Sequence, residues 1–231
     1  MKLALKLTFY VLIVSCLIFP EAGFGQKKPK PKCGASSWKT CPVQGCGGDP
    51  NLNRKKNKTT KPAASSVEER TLARIIAMDA PDKWKAGSPR GPLEDIGEGD
   101  VAEVTAYLIH AKNYPSGVES CNCNLKKTEN NDFHLVLVDS RSKQEQDSVT
   151  AEISPRIRPA GWTIEKLRKL AKEKAYVKLV GYMMLDTQHL SKPIKRKTNW
   201  EIHPVTKFEV CTASESACDQ GNGWKALAQV P

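Results

Sequence analysis

From Asp100 onward the chain alternates apolar and polar residues in five separate runs, and one amphipathic stretch interrupts them between the third and the fourth. The runs cover 101–109, 133–138, 149–153, 176–185 and 199–210, each of strand length. Between the third and fourth, Thr163 is placed to cap a helix in which Ile164, Leu167, Leu170 and Ala171 recur at helical spacing. Pro204 falls inside the fifth run and implies an edge or a bulge there, because proline cannot donate to a sheet ladder.

Strand, strand, strand, helix, strand, strand is the order of an OB-fold, and it sets the expectation of a mainly β, five-stranded, OB-fold-like Greek-key barrel over 100–212. Another small β-barrel, or an α+β sheet carrying one helix at that point, is the alternative. Ahead of the barrel, 67–99 reads as a short helix with Leu72, Ile75 and Ile76 on one side, followed by a Gly/Pro loop. Residues 26–66 read as a basic, Cys-containing flexible arm, since Lys27–Lys32 and 54–62 carry dense positive charge and few apolar groups. Residues 213–231 read as a C-terminal tail. Asn57-Lys58-Thr59 is a glycosylation sequon if the source is eukaryotic.

The first 25 residues have the pattern of a secretory signal: Lys2, an apolar core from Leu7 to Phe19, and small residues before a cut after Gly25. The core is too short to span a bilayer. Lipoprotein anchoring through Cys16 is the alternative, weakened because Leu17, Ile18 and Phe19 continue the apolar core past that cysteine. The expected localisation is therefore secreted or periplasmic. Cleavage lowers the formal charge from +11 to about +10, so the mature chain stays strongly basic.

Cysteine use fits an oxidising compartment, where Cys33, Cys41, Cys46, Cys121, Cys123, Cys211 and Cys218 are all disulfide candidates. Their number is odd. The expectation is one bridge and a spare thiol among the first three, and two bridges among the last four. A zinc site among the first three lacks a neighbouring fourth ligand and a paired Cys-x-x-Cys spacing.

Three of the four histidines lie close to a carboxylate: Asp132 with His134, Asp186 with His189, and Glu201 with His203. Residues two apart on a strand share a face, so a common sheet would bring these six together as a possible zinc or manganese site able to activate water. The competing reading makes each carboxylate merely the orienter of its own histidine. On the fifth run Trp200 and Ile202 have the opposite parity to Glu201 and His203, which predicts the first pair buried and the second exposed. Lys192, Lys195, Arg196 and Lys197 lie between the fourth and fifth runs, a connection with which OB-folds grip ligands, and are candidate polyanion contacts. Tyr107, Tyr114, Tyr182 and Trp162 are candidate stacking residues.

Glu119-Ser120-Cys121-Asn122-Cys123, Asp132-Phe133-His134-Leu135 and Trp200-Glu201-Ile202-His203-Pro204-Val205 resemble segments of uncharacterised secreted bacterial proteins, over roughly residues 95–212. That resemblance carries no activity. At fold level the chain is also similar to staphylococcal-type nucleases, basic OB-fold enzymes that leave the cell. Those enzymes pair acidic metal ligands with two arginines, and Arg141, Arg156, Arg158 and Arg196 do not reproduce their pattern. The resulting expectation is an exported OB-fold binding module for an anionic polymer, nucleic acid first and cell-surface polysaccharide second. A metal-dependent phosphodiesterase or nuclease, and a structural secreted domain without a catalytic site, are the alternatives.

Overall fold

The computed structural model describes residues 33–190 and 192–231. The expected leader and the first lysines of the arm, with Cys16, lie outside the described residues. Among the described residues seven strands occur in chain order: β1 (Val67–Glu69), β2 (Val101–Asn113), β3 (Phe133–Val138), β4 (Val149–Ile153), β5 (Tyr176–Leu185), β6 (Trp200–Cys211) and β7 (Trp224–Ala226). The helices are α1 (Pro50–Lys56), α2 (Leu72–Ile76), α3 (Gly91–Glu94), α4 (Ile164–Lys172) and α5 (Glu215–Asp219).

Strands β2 to β6 close into a five-stranded mixed barrel, as the order of the runs predicts. β2 pairs antiparallel with both β3 and β5, β3 with β4, and β5 with β6, while β4 and β6 run parallel and complete the ring. The inner face takes Phe133, Leu135 and Leu137 from β3, Val149, Ala151 and Ile153 from β4, and Trp200 and Ile202 from β6. Their alternation is what makes these segments strands rather than helices. Helix α4 packs against β2 and adds its apolar side to the core. Thr163 accepts from the Lys166 N–H at 3.2 Å, and Ile164, Leu167, Leu170 and Ala171 are buried.

The β5–β6 register shifts around Gly181, opposite the stretch of β6 that holds Pro204, so the expected irregularity is present. Gly181 is required there. A Cβ on it would lie 2.5 Å from Ile202 Cγ2 and 2.7 Å from the Pro204 carbonyl oxygen, closer than nonbonded atoms pack.

Outside the barrel the structure departs from the sequence reading. The helix expected from Val67 is split: 67–69 adds to β2 as a parallel strand, and only Leu72–Ile76 is helical, capped by Thr71. Arg70 decides the break, because its guanidinium bonds Glu68 and Asp100 while its N–H donates to the Glu103 carbonyl. The tail is also structured, with α5 bridged to β6 by Cys211–Cys218 and β7 paired to the end of β6.

The described part of the arm is packed rather than extended. Asp49 caps α1 by accepting from the N–H groups of Asn51 and Leu52, and Leu52 is fully buried. Disulfides Cys33–Cys46 and Cys41–Cys123 fix this segment, the second to the loop before β3. Among the described residues the free thiol is therefore Cys121, not one in the arm as expected. Part of the charge that suggested a solvated tether is paired: Lys55 bonds Glu94, and Lys56 reaches a group of carboxylates on the barrel wall.

Candidate functional site on the outer barrel face

Even-numbered residues of β3 and β4 point out of the barrel, as do Glu201 and His203 of β6. The ladder sets His134 directly opposite Glu152 and Thr150 opposite Glu201. Most such outward faces meet water, but here α1 and the 114–132 loop lie over the surface. Glu201 and His203 are consequently buried, at 0% and 1% exposure, against the expectation that they face solvent. Parity distinguishes the inside of the barrel from its outside; the arm then covers the outside.

The covered groups form one chain of alternating acid and base. His134 lies between Glu119 and Glu152, with Nε2 2.9 Å from Glu119 Oε1 and Nδ1 2.9 Å from Glu152 Oε1. The second oxygen of Glu152 is 2.8 Å from His203 Nδ1, and His203 Nε2 is 3.7 Å from Asp132 Oδ2. Asp132 also accepts from Asn122 Nδ2 at 3.0 Å, and Cys121 Sγ donates to its Oδ2 at 3.6 Å. On the other side, Lys56 Nζ is 3.4 Å from Glu201 Oε1 and 4.0 Å from Glu152 Oε2. Arg196 bridges Glu201 at 2.9 Å and Asp186 at 2.6 Å, and Asp186 accepts from His189 Nδ1 at 2.6 Å.

All six residues of the three acid–histidine pairs thus lie in one connected network, though not in one coordination-sized cluster. Asp132 and His203 are close together, His134 is linked to them through Glu152, and His189 touches Asp186 at the far end, with 47% of its side chain exposed. Glu119, Glu152 and Lys56 are equally part of the network. Register alone could have found Glu152, because it faces His134 across the ladder. Nothing local to Lys56 marks it, since its partners Glu152 and Glu201 lie on strands far along the sequence.

Burial and charge pull these groups in opposite directions. For His203, burial favours the neutral ring, yet Glu152, Glu201 and Asp132 outweigh it and raise the pKa to about 9. His134 is likewise held well above its ordinary value, against burial, by Glu152 and Glu119. Burial, with Glu119 close by, pushes Asp132 up to about 6. Glu152 goes the other way, well below the usual carboxylate range: burial raises it, but His134, Lys56 and His203 prevail. Burial, reinforced by Asp132, lifts the Cys121 thiol far from reactivity.

A cavity of about 450 Å³ opens on this network. Its wall includes Tyr114 and Glu119 from the loop between the first two barrel strands, His134 and Glu152 from β3 and β4, and Lys195 and Arg196 from the loop between the last two. That is the face, and those are the two loops, with which OB-folds take ligands. Of the four basic candidates, Lys192, Lys195 and Lys197 are exposed, whereas Arg196 is occupied by Asp186 and Glu201. Among the candidate stacking residues Trp162 and Tyr182 are buried, and Tyr107 packs on Tyr176. Tyr114 alone of the four is exposed at 41%, edge-on to the His134 ring. Arg141 pairs with Glu215, and Arg156 and Arg158 donate to backbone carbonyls, so no pair of arginines faces the cavity.

No protein-family model, curated protein or solved structure matches this chain. Among the described residues no helix is long and apolar enough to cross a membrane.

Proposed function

We propose that this protein is an exported OB-fold module that binds an anionic polymer, nucleic acid first and cell-surface polysaccharide second, across the outer β3–β4 face. The observation that carries this reading is the make-up of the cavity mouth. Tyr114 offers an exposed ring and Lys195 an exposed ammonium on opposite loops of the OB ligand face, with Lys192 and Lys197 beside the latter. A ring that stacks on bases and lysines that neutralise phosphates are the two parts of a single-strand groove. Three disulfides are consistent with the export that the first 25 residues imply.

Binding should weaken steeply with salt, because displaced counterions supply much of the free energy. A fluorescent single-stranded oligonucleotide titrated at several salt concentrations gives the slope. Replacing Lys192, Lys195 and Lys197 with alanine should flatten it by about 2 log units per log unit of salt, at roughly 0.7 for each phosphate left without its lysine. An unchanged slope in the triple variant would remove this loop from the reading.

A second reading, metal-dependent phosphodiester hydrolysis, is favoured by His134. Its ring lies between two carboxylates in the wall of that cavity, where an imidazolium is placed to give a proton to a leaving oxygen. This reading predicts cleavage of an activated phosphodiester in the presence of Zn²⁺ or Mn²⁺, lost in His134→Ala. Binding without cleavage would leave the module non-catalytic.

A further inference from the structure

Most charged groups of the network are accounted for by a partner. His134 has two carboxylates, Arg196 two, and Asp186 both His189 and Arg196. His203 differs from these: its side chain is wholly buried between Glu152 and Asp132, 2.8 and 3.7 Å away, yet neither ring nitrogen is aligned for a hydrogen bond, and the facing Glu152 Oε2 makes none either. A buried imidazole with both nitrogens unsatisfied is costly, because each polar atom removed from water needs a replacement partner.

The surroundings of His203 are those of a cation site. One donor atom each from Asp132, Glu152 and His203 lie within 4.8 Å of one another, and all three residues are buried. Four ligands at about 2.0–2.1 Å from a tetrahedral ion would stand roughly 3.4 Å apart. His203 Nε2 lies 3.7 Å from Asp132 Oδ2, close to that value. Glu119, Cys121 and Asp132 form a second such group, so Asp132 is common to both and the Cys121 thiol is the next donor in reach. The Lys56 ammonium pairs with Glu201 and Glu152 and so offsets part of the negative charge of the cluster.

From these observations we infer that Asp132, Glu152 and His203 form a buried binding site for one divalent transition cation, zinc first. Nitrogen and carboxylate donors with a thiol at hand suit zinc better than magnesium or calcium, which prefer all-oxygen shells. His203 Nε2, on the Asp132 side, binds the ion, while Nδ1 has Glu201 Oε1 3.6 Å away, an outer carboxylate of the kind that commonly orients a ligating histidine. His134, Asp186, His189 and Glu201 stand outside the ligand set, because the mutually close donor atoms are those of Asp132, Glu152 and His203. The inference does not depend on polymer binding.

The test uses full-length mature protein made without a histidine tag, stripped with chelator and shown by circular dichroism to remain folded. Zn²⁺ and Mn²⁺ are titrated separately by calorimetry, and metal content as purified is measured by elemental analysis. One equivalent of Zn²⁺ is expected, with affinity reduced at least about tenfold in Asp132→Asn and in His203→Gln. His189→Gln should bind as wild type does. If His203→Gln does not fold, Glu152→Gln replaces it, and wild-type stoichiometry still decides. Folded wild-type protein that takes up neither ion would overturn the site and make His203 an imidazolium held between two carboxylates. Uptake lost in His189→Gln but kept in the other variants would overturn it equally.

Discussion

At the scale of single residues, the network is a set of charges that tolerate burial because each faces charge of the opposite sign. Asp186 shows the balance most simply. Burial alone would raise its pKa, but Lys56, the His189 hydrogen bond and Arg196 hold it below the usual carboxylate range. A carboxylate depressed in the fold adds stability above its unfolded pKa of about 4, and that contribution is lost as pH falls through this value toward the folded one. Wild-type protein should therefore exceed Asp186→Asn in urea midpoint at neutral pH, and the gap should narrow from about pH 4 downward. A gap constant with pH would mean that Asp186 acts through packing and not through charge.

At the scale of elements, the arm is the addition that turns a barrel into a site. Cys41–Cys123 ties it across 82 residues of sequence, and the loop closed in the unfolded chain is correspondingly long. A cross-link of that span removes about 4 kcal/mol of unfolded-chain entropy. Cys41→Ser with Cys123→Ser should lower stability by up to that amount in urea unfolding, and should loosen α1 enough for its amides to exchange before those of β2–β6. The barrel strands were legible in sequence because inside and outside alternate at a period of two: β3, β4 and β5 have the very limits of their apolar runs. The site was only half legible. Alternation marks Glu201 and His203 as facing away from the core, but whether that direction leads to water depends on a segment more than a hundred residues earlier. Composition misled in the same place, because the lysine density of 54–62 reads as solvation until Lys56 is seen against Glu201 and Glu152.

At the scale of the whole molecule, a formal charge of +11 attracts any polyanion at low ionic strength, so affinity alone says little about the ligand face. The triple lysine variant separates the two contributions. It removes three of the chain's 36 basic residues, a small change to the overall field, and a marked fall in salt slope would then belong to the loop. The acidic floor beneath that loop is an obstacle to a phosphate unless a cation offsets it, and for this reason polymer binding should be measured with and without added Zn²⁺.

Asn57 bears on how the protein can be produced. It opens the one stretch, Asn-Lys-Thr, that a eukaryotic secretory pathway could read for sugar attachment, yet its residue is 3% exposed and its side-chain amide donates to the carbonyls of Val43 and Cys121. Oligosaccharide added there as the chain emerges would take the amide from both carbonyls and stand where α1 meets the barrel. Yeast or mammalian expression would then yield glycosylated copies unable to seat the arm, and a bacterial periplasm, which forms disulfides without that modification, is the appropriate host.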